Sequence, residues 1–171
     1  MSDFNLETWA NIADIIGAGT IVTGLIFGWV QIRHLRRQQR DAVAINLAQT
    51  FYGPELAKAL ALLHPLPDGI SLAEMRALGE IYEEAAVTVC TSFETMGLLV
   101  FKRIAPMDLV LDLAGGIVST MNRKLQQWQV DLREELQQPS WGEWFEWLGD
   151  RALESKTASE PAQIRYKNWK P

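Results

Sequence analysis

From residue 15 to 32 the chain reads IIGAGTIVTGLIFGWVQI, 18 residues without a charge. As a helix this run reaches ~27 Å, near the thickness of a bilayer's hydrocarbon layer, and Ile12 and Ala13 extend it. Trp9 and Trp29 stand near its ends, where amphipathic rings favour the headgroup level. Arg33, Arg36, Arg37 and Arg40 follow at once, whereas Asp3, Glu7 and Asp14 precede it with no Lys or Arg among them. The positive-inside bias then predicts a transmembrane helix over residues 12–32, a periplasmic tail over 1–11, and everything after the helix in the cytoplasm. A cleaved signal peptide carries its basic residues before the apolar run, the reverse of this order. An in-plane amphipathic helix needs a polar face, for which the run offers only threonines. A buried core helix is the serious rival, and the flanking arginines and tryptophans argue against it.

Past the apolar run, the pattern changes to helical amphipathicity. No Gly or Pro interrupts residues 31–52, so the membrane helix is expected to continue as a basic juxtamembrane stalk (33–53), with Val43, Leu47 and Phe51 on one edge. Pro54 suits the first turn of a short helix ending near Leu63, and the Pro- and Gly-rich stretch 64–69 reads as a turn. Ser71 and Glu74 form a capping-box pattern opening a long helix to about Arg103. Its stripe is Met75, Leu78, Tyr82, Ala85 or Ala86, Val89, Phe93, Met96 and Val100. Pro106 breaks it, a short helix follows over 107–113, and Gly115-Gly116 is expected to bend or interrupt the chain. Ile117, Met121, Leu125, Trp128, Leu132 and Leu136 mark the next helix, which Pro139 stops. Ser140 and Glu143 make a second capping-box pattern before an aromatic helix over 141–153, and 155–171 reads as a tail. The expected fold is all-α: one N-terminal transmembrane helix continuing into a stalk, then a small cytoplasmic helical bundle over residues 54–154.

Charge sharpens this layout. The 171 residues carry −5 in all, but residues 1–32 hold −3, 33–40 hold +4 and 41–171 hold −6. An acidic domain repels phosphate backbones, so no nucleic-acid partner is expected. The arginine cluster Arg33, Arg36, Arg37 and Arg40 instead suits anionic lipid headgroups. Cys90 is the single cysteine, compatible with a reducing compartment, and among Val87, Val89 and Phe93 it reads as a buried apolar residue.

Candidate chemistry is sparse. Thr20, Gly24 and Gly28 recur at i, i+4, i+8 and give the membrane helix a smooth face against which another helix packs closely. Trp141, Trp144, Phe145 and Leu148 share a helical face and read mainly as core, with Trp147 pointing elsewhere; Trp141, Trp144 and Trp147 are the candidate partner contacts, because tryptophan is enriched at binding hot spots. Glu80, Glu83, Glu84 and Glu94 lack the Glu-x-x-His partners of a di-metal bundle and read as a solvated acidic face. His34 sits in the headgroup zone rather than within the span, where an axial haem ligand belongs. No phosphate loop, CxxC, HExxH or GxSxG is present. No cofactor or metal is expected.

The stretches WANIADIIGAGTIVTGLIFGWVQIRHLRRQ, SFETMGLLVFKRIAPMDLVLDLAGGIV and EWFEWL, in this order, resemble a family of uncharacterised bacterial single-span membrane proteins, classed as a domain of unknown function. The chain departs from that pattern after the helix, where QIRHLRRQ stands in place of a sequence more like QIRQNT. The resemblance implies the architecture, a membrane helix and a cytoplasmic helical domain, and no activity or catalytic residue.

The expectation that follows is a non-catalytic accessory or scaffold subunit of an inner-membrane assembly, for example respiratory, transport or photosynthetic, with a membrane-protein partner. A self-associating, membrane-anchored signalling adaptor (a homo-oligomer) is the alternative. An enzyme acting at the membrane face ranks third.

Overall fold

The structure, a computed structural model, describes residues 6–51, 53–158 and 160–170. Among these residues all regular structure is α-helical, with no strand. The elements are α1 (Leu6–Phe51), α2 (Pro54–Leu63), α3 (Leu72–Leu78), α4 (Glu80–Phe101), α5 (Met107–Leu136), α6 (Glu143–Ala158) and α7 (Ala162–Arg165). The chain divides into two compact units, residues 1–42 and 43–171.

In the first unit, α1 carries the apolar run. Residues 1–5 of the expected tail lie outside the described residues, and α1 is already helical from Leu6. Ile15–Leu35 spans 21 residues with mean hydropathy 1.8, none of it buried, long and apolar enough to cross a bilayer. By length and composition the segment fits a membrane span or a signal sequence.

The second unit has its own core. Leu63, Met75, Ala86, Val89, Phe93, Val118, Leu125, Trp128, Phe145 and Leu148 are fully buried and come from α2 to α6. Helix α4 packs against α2, α3, α5 and α6, and α6 in turn lies along α5. Burying such a side chain contributes roughly 1.5–3 kcal/mol, so helices too short to persist alone hold together in this unit. Helix α4 also has the length and apolarity of a span, but nearly half of its apolar window is buried inside this core.

Several expectations change. The helix expected over 71–103 is two helices, because Gly79 adopts φ +119 and ψ 159, a conformation open to glycine that ends α3 and starts α4. Leu78, at this break, is exposed rather than part of the core stripe. Gly115-Gly116 does not interrupt the chain: α5 runs through both. Gly115 lies within the helix opposite Ala152 of α6, where a Cβ would make only ordinary contacts of 3.6–3.9 Å. With the helix continuous from Met107, the buried face turns slightly: Val110, Ala114 and Val118 are inside, while Ile117 and Leu136 are exposed. Helix α6 begins at Glu143, not Trp141, and continues to Ala158, past the expected boundary of the tail.

The capping box at Ser71 forms. Its hydroxyl accepts from the Glu74 N–H at 3.3 Å, and the Glu74 carboxylate accepts from the Ser71 N–H at 2.9 Å. The Ser71 N–H and, at 2.7 Å, the Ser71 hydroxyl both donate to the exposed Glu74 carboxyl and hold it below its ordinary range. A second acceptor arrives from far away, since Asp131 on α5 takes the Leu72 N–H at 2.9 Å. The preceding turn is tied to α5 as well: Gly69 and Ile70 donate to carbonyls of Arg123 and Lys124, and Asp68 pairs with Arg123 at 2.6 Å.

Candidate interaction surfaces

Two surfaces stand out, one on each unit. On α1, Thr20, Gly24 and Gly28 lie one turn apart. The Thr20 hydroxyl donates to the Ile16 carbonyl at 2.8 Å, and Thr23 does the same to Gly19. The hydroxyl donors of both threonines are therefore satisfied within the helix. A methyl group added at Gly24 or Gly28 would meet nothing within 4 Å. Close to the basic end of the run, the Arg33 guanidinium lies 5.0 Å from the centre of the Trp29 ring. The side chains of Trp9, Arg36, Arg37 and Arg40 lie outside the described residues.

The second surface lies where the end of α4 meets the start of α6. Helix α6 is drawn against α4 by a carboxylate rather than by a local cap. Glu94, on α4, accepts the Phe145 N–H at 2.8 Å and also bonds the Trp144 backbone. The expected Ser140–Glu143 box is replaced by this bond, in keeping with the attraction of a helix N-terminus for negative charge. Burial pushes the Glu94 carboxyl above its ordinary range, and the two backbone bonds pull it partly back. Gly97, one turn further along α4, makes the contact possible: a Cβ there would lie 2.7 Å from the carbonyl carbon of Trp144.

This docking separates the three candidate tryptophans. Trp141 precedes α6 in a turn whose Gly142 adopts φ +69, and a Cβ at Gly142 would lie 2.7 Å from Gln129 Oε1. Trp141 therefore leaves the face of α6 and packs edge-on against fully buried Trp128, ring centres 5.3 Å apart. Its carbonyl accepts from Arg133 Nε at 2.6 Å, and Arg133 pairs with Glu146 at 2.7 Å. Trp144 and Trp147, both half-buried, form an outer cluster with Phe101. Phe101 and Trp144 lie 4.3 Å apart centre to centre, and Trp147 meets both edge-on. Phe101 is 49% exposed and Ile104 58%, with Lys102 and Arg103 exposed between them. Arg103 takes a left-handed conformation (φ 58) that closes α4 and turns this corner outward.

Sequence reasoning singled out the tryptophans, missed Phe101, Ile104 and Gly97, and read Glu94 as part of a solvated face. The available signal was the pair of apolar residues around Lys102-Arg103 at a helix end, just before the Pro106 break. Of the four glutamates weighed as metal ligands, Glu94 turns inward to α6, while Glu83 pairs with Arg76 at 3.1 Å, which also holds Glu135. Among the described residues no three His, Cys, Asp or Glu side chains converge. A groove of about 520 Å³ runs between α2 and α5, lined by apolar residues together with His64 and Thr120.

No curated protein and no solved structure matches this chain. A family model does match, over residues 18–152, from within the apolar run of α1 to the buried face of α6. The chain belongs to the family described as Domain of unknown function (DUF4760).

Proposed function

We propose that this chain is a membrane-anchored accessory or scaffold subunit of a bacterial inner-membrane assembly, acting by binding rather than by catalysis. In this reading α1 spans the membrane once with its N-terminus outside, and the second unit stands in the cytoplasm. The observation that carries the reading is Ile15–Leu35, a 21-residue stretch of mean hydropathy 1.8 with none of its apolar window buried. Leaving such a face in water costs roughly 25 cal/mol per Å² of apolar area, a strong drive toward lipid. The open Thr20, Gly24 and Gly28 face suits a neighbouring membrane helix, and the Phe101, Trp144 and Trp147 corner suits a protein surface that completes its burial.

The test has two steps. Membranes washed in alkaline carbonate should retain the chain, and its release would sink the anchoring reading. Solubilisation in mild detergent, crosslinking and mass spectrometry should then recover a partner, and Phe101→Ala with Trp144→Ala should reduce its yield. A clean monomer would refute the scaffold role. For topology, Ser2→Cys should react with an impermeant thiol reagent in spheroplasts.

The openness of the glycine face also favours a second reading, a self-associating signalling adaptor in which two copies of α1 pack together. In that case Gly24→Ile with Gly28→Ile abolishes self-crosslinking while the chain still inserts. Unchanged crosslinking would rule the homodimer out.

A further inference from the structure

We infer that residues 161–170 form a second membrane contact, a basic and aromatic segment that settles into the headgroup layer of an anionic lipid surface. The inference uses the anchoring proposed above only to keep this segment near a membrane. The stretch reads PAQIRYKNWK, with three cations, Arg165, Lys167 and Lys170, and no carboxylate. The rest of the second unit is acidic, −8 over residues 43–160. Despite that attraction, the segment does not lie down on its own domain. Ile164 is 54%, Tyr166 55% and Trp169 69% exposed, whereas the tryptophans of α5 and α6 are half-buried or fully buried.

The backbone is folded locally. Ile164 and Arg165 donate to the Pro161 carbonyl at 2.9 and 3.1 Å, and Trp169 donates to Tyr166 at 2.9 Å. The Arg165 guanidinium lies 4.8 Å from the centre of the Tyr166 ring. Among the described residues, none of the three cations has a carboxylate partner. A Trp and a Tyr interleaved with cations match the headgroup layer, which takes amphipathic rings at its apolar boundary and ammonium or guanidinium groups at its phosphates. Nucleic acid offers the same phosphates but no apolar layer to take exposed Ile164 beside Tyr166 and Trp169. Three cations alone give weak, reversible binding. A chain already tethered to the bilayer binds at high effective concentration, so weak contacts suffice.

The experiment uses the full chain with Asn168→Cys carrying an environment-sensitive fluorophore; Cys90, 1% exposed, stays unlabelled. Vesicles are phosphatidylcholine alone, or phosphatidylcholine mixed with phosphatidylglycerol in both leaflets, so either orientation meets anionic lipid. The label should shift to the blue and be quenched by spin-labelled lipid only in the mixed vesicles, and high salt should reverse both. Combining Arg165→Glu, Lys167→Glu and Lys170→Glu should move the balance between embedded and free label by more than about a hundredfold. These residues pack against nothing in the core, so the folded unit survives the change.

Identical emission in both vesicles, with the chain still resistant to carbonate, would overturn the inference and leave the anchoring reading intact. A blue shift that also occurs in lipid-free detergent would mean docking on protein and would overturn it too. A chain that carbonate strips away, yet whose label still responds to phosphatidylglycerol in neutral buffer, would sustain the inference and defeat the anchor.

Discussion

Gly97→Ala probes the contact on which the aromatic corner depends. Its new Cβ would lie 2.7 Å from the carbonyl carbon of Trp144 and 3.1 Å from its Cβ. Ordinary carbon contacts are about 3.5–4 Å, so α4 and α6 must part by roughly 1 Å. The obstacle is backbone and has no rotamer to escape into. Nor is α6 free to slide, because its own Gly149 sits tightly on α5: a Cβ there would lie 2.6 Å from Asn122 Cβ. Parting the helices stretches the Glu94 bond to Phe145 and loosens the contact of Phe93 with Phe145, whose ring centres are 5.3 Å apart. Overpacking of this kind costs about 1–3 kcal/mol, and the better helix propensity of alanine offsets roughly 0.5–1 kcal/mol. A net loss of about 1–2 kcal/mol lowers Tm by roughly 4–8 °C. Near-ultraviolet circular dichroism of the full chain in mild detergent follows the buried tryptophans through the transition. Gly24→Ala, with nothing within 4 Å, is the control and should leave that transition in place. A Gly97→Ala protein that melts at or above the parent temperature would refute the close approach of α6.

Glu94 gives a prediction with a definite pH sign. Its folded-state carboxyl is held above the ordinary value, so the native state binds a proton more readily than the unfolded chain. Its contribution is therefore fully present below about pH 4.5 and declines as pH rises through the folded-state range. Glu94→Gln keeps an acceptor for Phe145 and should flatten that decline in denaturant titrations, whereas Glu94→Ala should cost about 1–2 kcal/mol at neutral pH. A Gln variant with the parent's pH profile would discount the burial of this carboxyl. Cys90 is 1% exposed and burial pushes its thiol pKa well up, so a thiol reagent should modify it only on unfolding, at a rate that follows denaturant. Rapid modification of the native protein would contradict the buried placement.

Much of this protein is legible in the sequence, because helices announce themselves locally. The charge-free run of α1, the Ser71–Glu74 cap, the Pro54 start of α2 and the apolar stripe of α4 each depend on residues within a turn or two. Local rules fail where backbone choice is permissive. Gly79 and Gly115 look alike as letters, yet one ends a helix at φ +119 and the other passes through α5 against Ala152. The sequence by itself determined an all-helical chain with one long apolar helix, acidic beyond its arginines and sparse in catalytic groups. Only the tertiary structure decided that Glu94 reaches across 51 residues to Phe145, and Asp131 across 59 to Leu72. The same packing sends Trp141 inward and leaves Trp144 and Trp147 with Phe101 at the surface. The physical reason is that caps and close approaches between helices are set by which side chains meet in space, and helical period says only which face each residue occupies.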